Sequence, residues 1–231
     1  MYKDTKNINH RNETEYLENI KLLSKAIKDD AMKKGSLKEF LLEGATQKYN
    51  QHHPKHKKCT YVSKDKDHIR VTEKRICRCM YYYNVLDDKQ TLKCKKCNFI
   101  DRWKNNSDYE ILDYEVPMEE VWDKVGGFDL LIKNNKDNII YAVELKPEKS
   151  KETLVRMVAE ILTYSEISNY QVRNYGKIVP AICFFKGSKQ WNDYEKFKNN
   201  PDFKILTECV QFFCITHTDS TFEICKMNSL L

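Results

Sequence analysis

Asp129, Glu144 and Lys146 are the residues of this chain whose types and spacing could do chemistry. They interrupt two apolar runs, Phe128 to Ile132 and Ile139 to Leu145, which flank the polar segment Asn134-Asn135-Lys136-Asp137-Asn138. Two β-rich runs joined by a polar Asn/Asp turn predict a hairpin. Residues two apart on a strand share a face, so Glu144 and Lys146 point together while Val143 and Leu145 point into a core. Asp129, near the start of the adjacent strand, can meet them. A lone charge in a core strand is costly to bury unless it is paired or binds a metal. Two carboxylates and a lysine at one sheet edge suit metal-assisted phosphodiester hydrolysis. Mg²⁺ is a hard cation that takes one or two carboxylates, water and phosphate oxygens. It acidifies water and stabilises charge on a leaving oxygen. A neighbouring lysine can orient the water or offset the charge that develops on phosphorus.

The stretch Gly126-Gly127-Phe128-Asp129-Leu130-Leu131, followed by Glu144-Leu145-Lys146 on the next strand, resembles the core of the PD-(D/E)XK nuclease superfamily. The likeness runs from about Leu112 to Thr216, under half of the chain, and its motif is short. It implies an α/β fold with a restriction-endonuclease-like core, a mixed central sheet flanked by helices. It also implies a divalent metal, Mg²⁺ or Mn²⁺, held by Asp129, Glu144 and the backbone carbonyl of Leu145, with Lys146 serving the attacking water. Members of this superfamily often place a glutamate on an early helix facing the metal. Glu43 is the first candidate and Glu39 the second, although both also read as solvated helix residues. Asp113 and Glu115 are further acidic candidates, and Arg156 or Glu160 could serve from the helix after the hairpin. For Arg156 and Glu160 an intrahelical ion pair is the ordinary reading.

The chain has 231 residues, 41% hydrophobic and 32% charged, enough for one large domain or a core with an insertion. No run is long and apolar enough to span a membrane, and the first residues lack an apolar signal region. A cytoplasmic protein is therefore expected. Residues 48–104 carry 16 Lys/Arg against 6 Asp/Glu, a surplus of +10 in a chain of net +6, leaving −4 for the remainder. A basic segment beside a phosphodiesterase-like site is the footprint of a nucleic-acid binder, and a lysine-rich solvated surface is the plainer alternative.

Nine cysteines in such a compartment point to metal or free thiols rather than disulfides. Cys77 and Cys79 form one close pair, Cys94 and Cys97 another, and four thiolates in two pairs suit tetrahedral Zn²⁺. The element is similar to a zinc ribbon and its job would be structural. An iron–sulfur cluster is the alternative, as are buried thiols of the kind expected at Cys183, Cys209, Cys214 and Cys225. Arg78, Lys93, Lys95, Lys96, Arg102 and Lys104 decorate this module and are the expected phosphate contacts. Interleaved Tyr81, Tyr82, Tyr83, Phe99 and Trp103 would form its small core or stack on bases.

The remaining elements position these groups. Helical spacing predicts helices over residues 13–34 and 37–48. Strands are expected at 60–62, 68–72, 76–83, 109–116, 177–185, 203–206, 210–216 and 222–227. A helix capped by Ser150 should run to about Ser168, and a short one should cover 190–199. Residues 1–50 then give the N-terminal helices, 51–106 a basic zinc-ribbon-like insertion, and 107–231 the catalytic core. The expected function is a metal-dependent nuclease hydrolysing DNA, with RNA second, of restriction or defence type. A homodimer would suit double-strand cleavage. The rivals are a non-catalytic nucleic-acid-binding protein on a nuclease-like scaffold and a zinc-stabilised interaction domain.

Overall fold

The computed structural model describes residues 13–28, 73–85, 108–117, 127–167, 178–217 and 222–227. Within them, strands β1 (Tyr109–Pro117), β2 (Gly127–Asn134), β3 (Ile140–Leu145), β4 (Ile178–Phe185), β5 (Gln211–His217) and β6 (Phe222–Lys226) form one sheet in chain order. β1, β2 and β3 pair antiparallel. β3, β4 and β5 pair parallel, and β6 returns antiparallel to β5. The described helices are α1 (Glu13–Lys28), α2 (Glu73–Val85), α3 (Leu154–Ile167), α4 (Lys189–Phe197) and α5 (Pro201–Cys209). The fold is thus α/β, a mixed sheet flanked by helices. Among the described residues no helix is long and apolar enough to cross a membrane.

Two cores lie on the two faces of the sheet. Leu131, Ala142, Ile182, Phe184 and Phe212 face helices α1, α3, α4 and α5. Leu130, Ile132, Tyr141, Val143, Leu145, Cys183 and Phe213 face the side closed by α2 through Ile76, Cys77 and Met80. β3 is buried along its whole length, as befits a central strand covered on both faces. The β2–β3 turn is built as its residues dictate. Asn134 Oδ1 accepts from Lys136 N at 2.9 Å, Asp137 Oδ1 accepts from Ile139 N at 3.0 Å, and Asn138 adopts a left-handed φ of 57°, a conformation Asn tolerates.

Three expectations are corrected. Residues 76–83 are not a strand but lie on helix α2, which packs on β1 and β2. The β-rich aromatic run there is overridden by tertiary packing, and the buried set Ile76, Cys77, Met80 and Tyr81 has helical spacing. This helix falls inside the stretch expected to form the insertion, yet it covers one face of the core sheet. The segment 203–206 is likewise helical, within α5. Asn200 caps α5 by accepting from Asp202 N and Phe203 N, and Pro201 sits in its first turn, where its missing N–H costs nothing. Finally, α3 begins after Thr153, whose carbonyl accepts from Met157 N at 3.1 Å, rather than at Ser150. The expected second helix at 37–48 lies outside the described residues.

Phe213 is fully buried and meets Tyr109 and Tyr141 edge-on, at ring-centroid distances of 5.4 and 5.1 Å. Phe213→Ala should destabilise the fold by about 3–5 kcal/mol, measured as a lower urea midpoint with an unchanged slope.

Candidate active site

The hairpin register fixes the site. Leu130 pairs with Val143, so one further step sets Asp129 across from Glu144. There the two strands stop exchanging backbone hydrogen bonds, and the Asp129 side chain takes over: its Oδ2 accepts from Leu145 N at 2.7 Å. On the other side of β3, Lys146 N donates to Cys183 O at 3.0 Å, which anchors the backbone of Lys146 to β4. Glu144 and Lys146 share a face, as strand periodicity predicts, and their side chains form an ion pair. Both are buried, at 3% and 6% exposure.

A third carboxylate arrives from elsewhere. Glu73, in the first turn of α2, places Oε2 at 3.2 Å from Lys146 Nζ. One carboxylate oxygen each from Glu73, Asp129 and Glu144 lies within 4.8 Å of the others. Glu43, Glu39, Asp113 and Glu115 are the upstream acids expected from the sequence. Glu39 and Glu43 lie outside the described residues. Asp113 accepts from the neighbouring Tyr114 N at 2.8 Å, and Glu115 pairs with Lys74 at 3.4 Å. Glu73 is not among the expected acids because strands at 68–72 and 76–83 would place it in a turn. The signal that could have found it was the helical spacing of Ile76, Cys77 and Met80 behind it.

Helix α3 supplies a further polar stripe. Glu152, Arg156, Glu160 and Tyr164 recur every four residues, so they line one side of the helix and its N-terminal approach. Glu152 Oε2 lies 3.5 Å from Lys146 Nζ, and its Oε1 lies 2.9 Å from Arg156 Nε. Glu160 accepts from the Tyr164 hydroxyl at 2.9 Å. Arg156 and Glu160 are thus not each other's partner, contrary to the expected ion pair. Each faces its neighbour one turn away from the other. Glu152, unremarked in the sequence, is the group that joins the stripe to Lys146.

The electrostatics follow from crowding like charges out of water. Burial first, then the Glu73 carboxylate, holds Asp129 well above its ordinary value of 3.8. Burial first, then Asp129 and Glu160, does the same to Glu144 relative to 4.5. For Lys146, burial pulls the ammonium down, but Glu144, Glu73, Glu160 and Asp129 together outweigh it, and its value rises well above 10.5. Glu152 is raised by burial and held back by Lys146. Five carboxyl groups around two cationic side chains form a site short of positive charge. Oxygen donors in that arrangement fit a hard divalent cation and do not fit a soft one.

The expected zinc module is only partly described. Cys94, Cys97, Lys93, Lys95, Lys96, Arg102 and Lys104 lie outside the described residues. Cys77 and Cys79 stand two apart on α2, which turns their side chains about 200° apart. Both are buried. Burial first, then the nearby Asp129 carboxylate, keeps the Cys77 thiol well above its ordinary value, and zinc binds thiolate. The zinc reading therefore draws no support from this pair. Arg78, expected on phosphate, lies with its guanidinium 6.0 Å from the Tyr114 ring centroid.

No protein-family model matches the chain, and no curated protein matches it. Among solved structures, the chain is matched to that of Pyrococcus furiosus SfsA in complex with Ca²⁺, at 15% identity and a TM-score of 0.24. The match covers 53% of this chain and 54% of that chain, about half of each. A superposition of that quality establishes neither a shared fold nor a shared site.

The raised carboxyl groups make a pH prediction. Folded-state values above the unfolded ones stabilise the metal-free protein at low pH, and that contribution is lost as pH rises through the raised values. Lys146 is also raised, so its contribution is fully present below the unfolded lysine value and stays constant across neutral pH. A divalent cation needs the deprotonated carboxylates. The rise in Tm on adding Mg²⁺ or Mn²⁺ should therefore be larger at pH 8 than at pH 6. It should vanish in Glu144→Gln, whose metal-free Tm at pH 8 should exceed that of the wild type. Scanning fluorimetry with and without chelator measures both.

Proposed function

We propose that this chain is a divalent-metal-dependent nuclease of the PD-(D/E)XK type that hydrolyses phosphodiester bonds in DNA. The observation that carries this reading is the convergence of Glu73, Asp129 and Glu144 from α2, β2 and β3, with oxygens within 4.8 Å, against the buried Lys146. The motif residues alone recur by chance. A third carboxylate brought to them by the fold is what a structural Glu-x-Lys pair would not need.

In this reading Asp129, Glu144 and Glu73 would hold Mg²⁺ or Mn²⁺, with the Leu145 backbone carbonyl as a fourth donor. The ion would supply Lewis acidity toward a phosphoryl oxygen and a more acidic water. Leu145 N fixes the rotamer of Asp129, which preorganises one oxygen for the cation. Lys146 is kept as an ammonium by its carboxylate neighbours. It therefore acts as a hydrogen-bond donor to the attacking water or a phosphoryl oxygen, and not as the proton acceptor. Glu152 and Arg156 restrain Lys146 from the helix side. The restriction or defence role and the choice of DNA over RNA rest on the resemblance and the charge pattern alone.

The test is cleavage of supercoiled plasmid and of a single-stranded oligonucleotide with Mg²⁺ or Mn²⁺. Wild type should cut, and chelator should stop it. Glu144→Ala, Lys146→Ala and Glu73→Gln should each lose on the order of 10²-fold or more in rate, with Lys146→Ala still binding DNA. A folded wild type that binds DNA and cuts neither substrate under any divalent metal would favour the non-catalytic binding scaffold.

A further inference from the structure

A carboxyl-rich centre repels the polyanion it is proposed to cut, so the approach to it must carry positive charge that is not already neutralised. The topology shows where that approach lies. β3, β4 and β5 run parallel, so their C-terminal ends share one edge of the sheet. Lys146 closes β3 at that edge. The loop beyond it carries Lys149 and Lys151, and the turn after β4 carries Lys186, all three exposed. The two loops are seamed together. Gln190, fully buried, donates from Nε2 to Glu152 O at 2.6 Å and to Ser150 O at 3.3 Å. Gly187, between Lys186 and Ser188, has φ +81°, and a Cβ there would meet nothing within 4 Å. The left-handed φ, rather than any crowding, is what calls for glycine in this turn.

The lysines of the neighbouring helix α4 and its C-cap are already paired. Lys189 reaches Asp193 at 2.6 Å, Lys196 reaches Glu13 at 2.6 Å, and Lys198 reaches Glu195 at 2.8 Å. Glu148, the acid in the β3 loop, lies 3.7 Å from His217 rather than against a lysine. Among the described residues Lys149, Lys151 and Lys186 have no carboxylate at ion-pair distance. Lys186 Nζ lies 5.8 Å from the Trp191 ring centroid, a contact that steadies the ammonium without neutralising it.

We propose that Lys149, Lys151 and Lys186 form the phosphate track that carries a nucleic-acid strand into the acidic site. The proposal rests on the nuclease reading and adds its substrate-binding face. It places that face on the loops after β3 and β4, in addition to the basic segment 48–104.

The experiment measures binding of fluorescent single-stranded and duplex oligonucleotides in a Glu144→Gln background, which prevents cutting, from about 50 to 200 mM salt. Replacing Lys149, Lys151 and Lys186 together by alanine should weaken binding about tenfold or more at the lowest salt. It should also make the log K against log salt slope shallower by about 2–3. The triple arginine variant should retain both affinity and slope, because the charge is kept. Unchanged affinity and slope in the alanine variant, with the background protein binding normally, would overturn the track and leave the nuclease reading intact. No binding by the folded background protein, together with no cutting by the wild type, would overturn both.

Discussion

The structure depends on one interaction, the Lys146 ammonium held among carboxylates inside the sheet. Desolvating a charge costs several kcal/mol even after relaxation, and here an acid and a base are buried side by side on β3. Their burial is tolerable because each neighbour is itself fixed. The Lys146 backbone is tied to β4, Asp129 is tied to the Leu145 amide, and Glu152 is tied to Arg156. Remove the ammonium and three carboxyl groups remain crowded with no countercharge. The central position of β3, between an antiparallel and a parallel neighbour, allows this arrangement. The two cores cover the strand on both faces, and its C-terminal end lies at the sheet edge where the loop after Lys146 begins.

The same arrangement sets stability against chemistry. Burial and mutual repulsion make the carboxyl groups of the metal-free site hold their protons to higher pH than usual, whereas a cation site needs those protons gone. Such opposition between local comfort and function is common where charge is gathered for catalysis. Helix α3 moderates it through a stripe of period four, in which Glu152 meets both Lys146 and Arg156 while Tyr164 donates to Glu160. The buried Cys77 thiol on α2 lies close enough to Asp129 to feel its charge. It stays protonated there, packed in the core on the far face of the sheet.

Charge is also sorted in space. Carboxyl groups gather in the interior at the end of β3, and lysines without carboxylate partners project from the loops just outside. An acidic centre inside a basic rim is the arrangement the proposed polyanionic substrate would need, with attraction to bring it in and a cation site beside it. The seam made by Gln190 keeps the two lysine-bearing loops at a fixed separation from that centre.

Much of this was legible in the residue order. The apolar runs Phe128 to Ile132 and Ile139 to Leu145 about an Asn/Asp turn determined the hairpin, and a period of two put Glu144 and Lys146 on one face. Those are local properties, set by backbone geometry and by which side of a strand must be apolar. The identity of the third carboxylate was not local. Glu73 precedes a run of cysteines and tyrosines that favours a strand by propensity over the helical spacing of Ile76, Cys77 and Met80, and packing against β1 and β2 holds it as a helix with its first turn aimed at Lys146. In the same way Phe203 to Leu206 reads as a strand until Asn200 and Pro201 start α5. Arg156 and Glu160 read as partners until Glu152 and Tyr164 take those roles. Sequence by itself determined the hairpin and the motif it displays. Tertiary structure decided which distant acid completes the cluster, because contacts between segments far apart in the chain leave no period in the sequence.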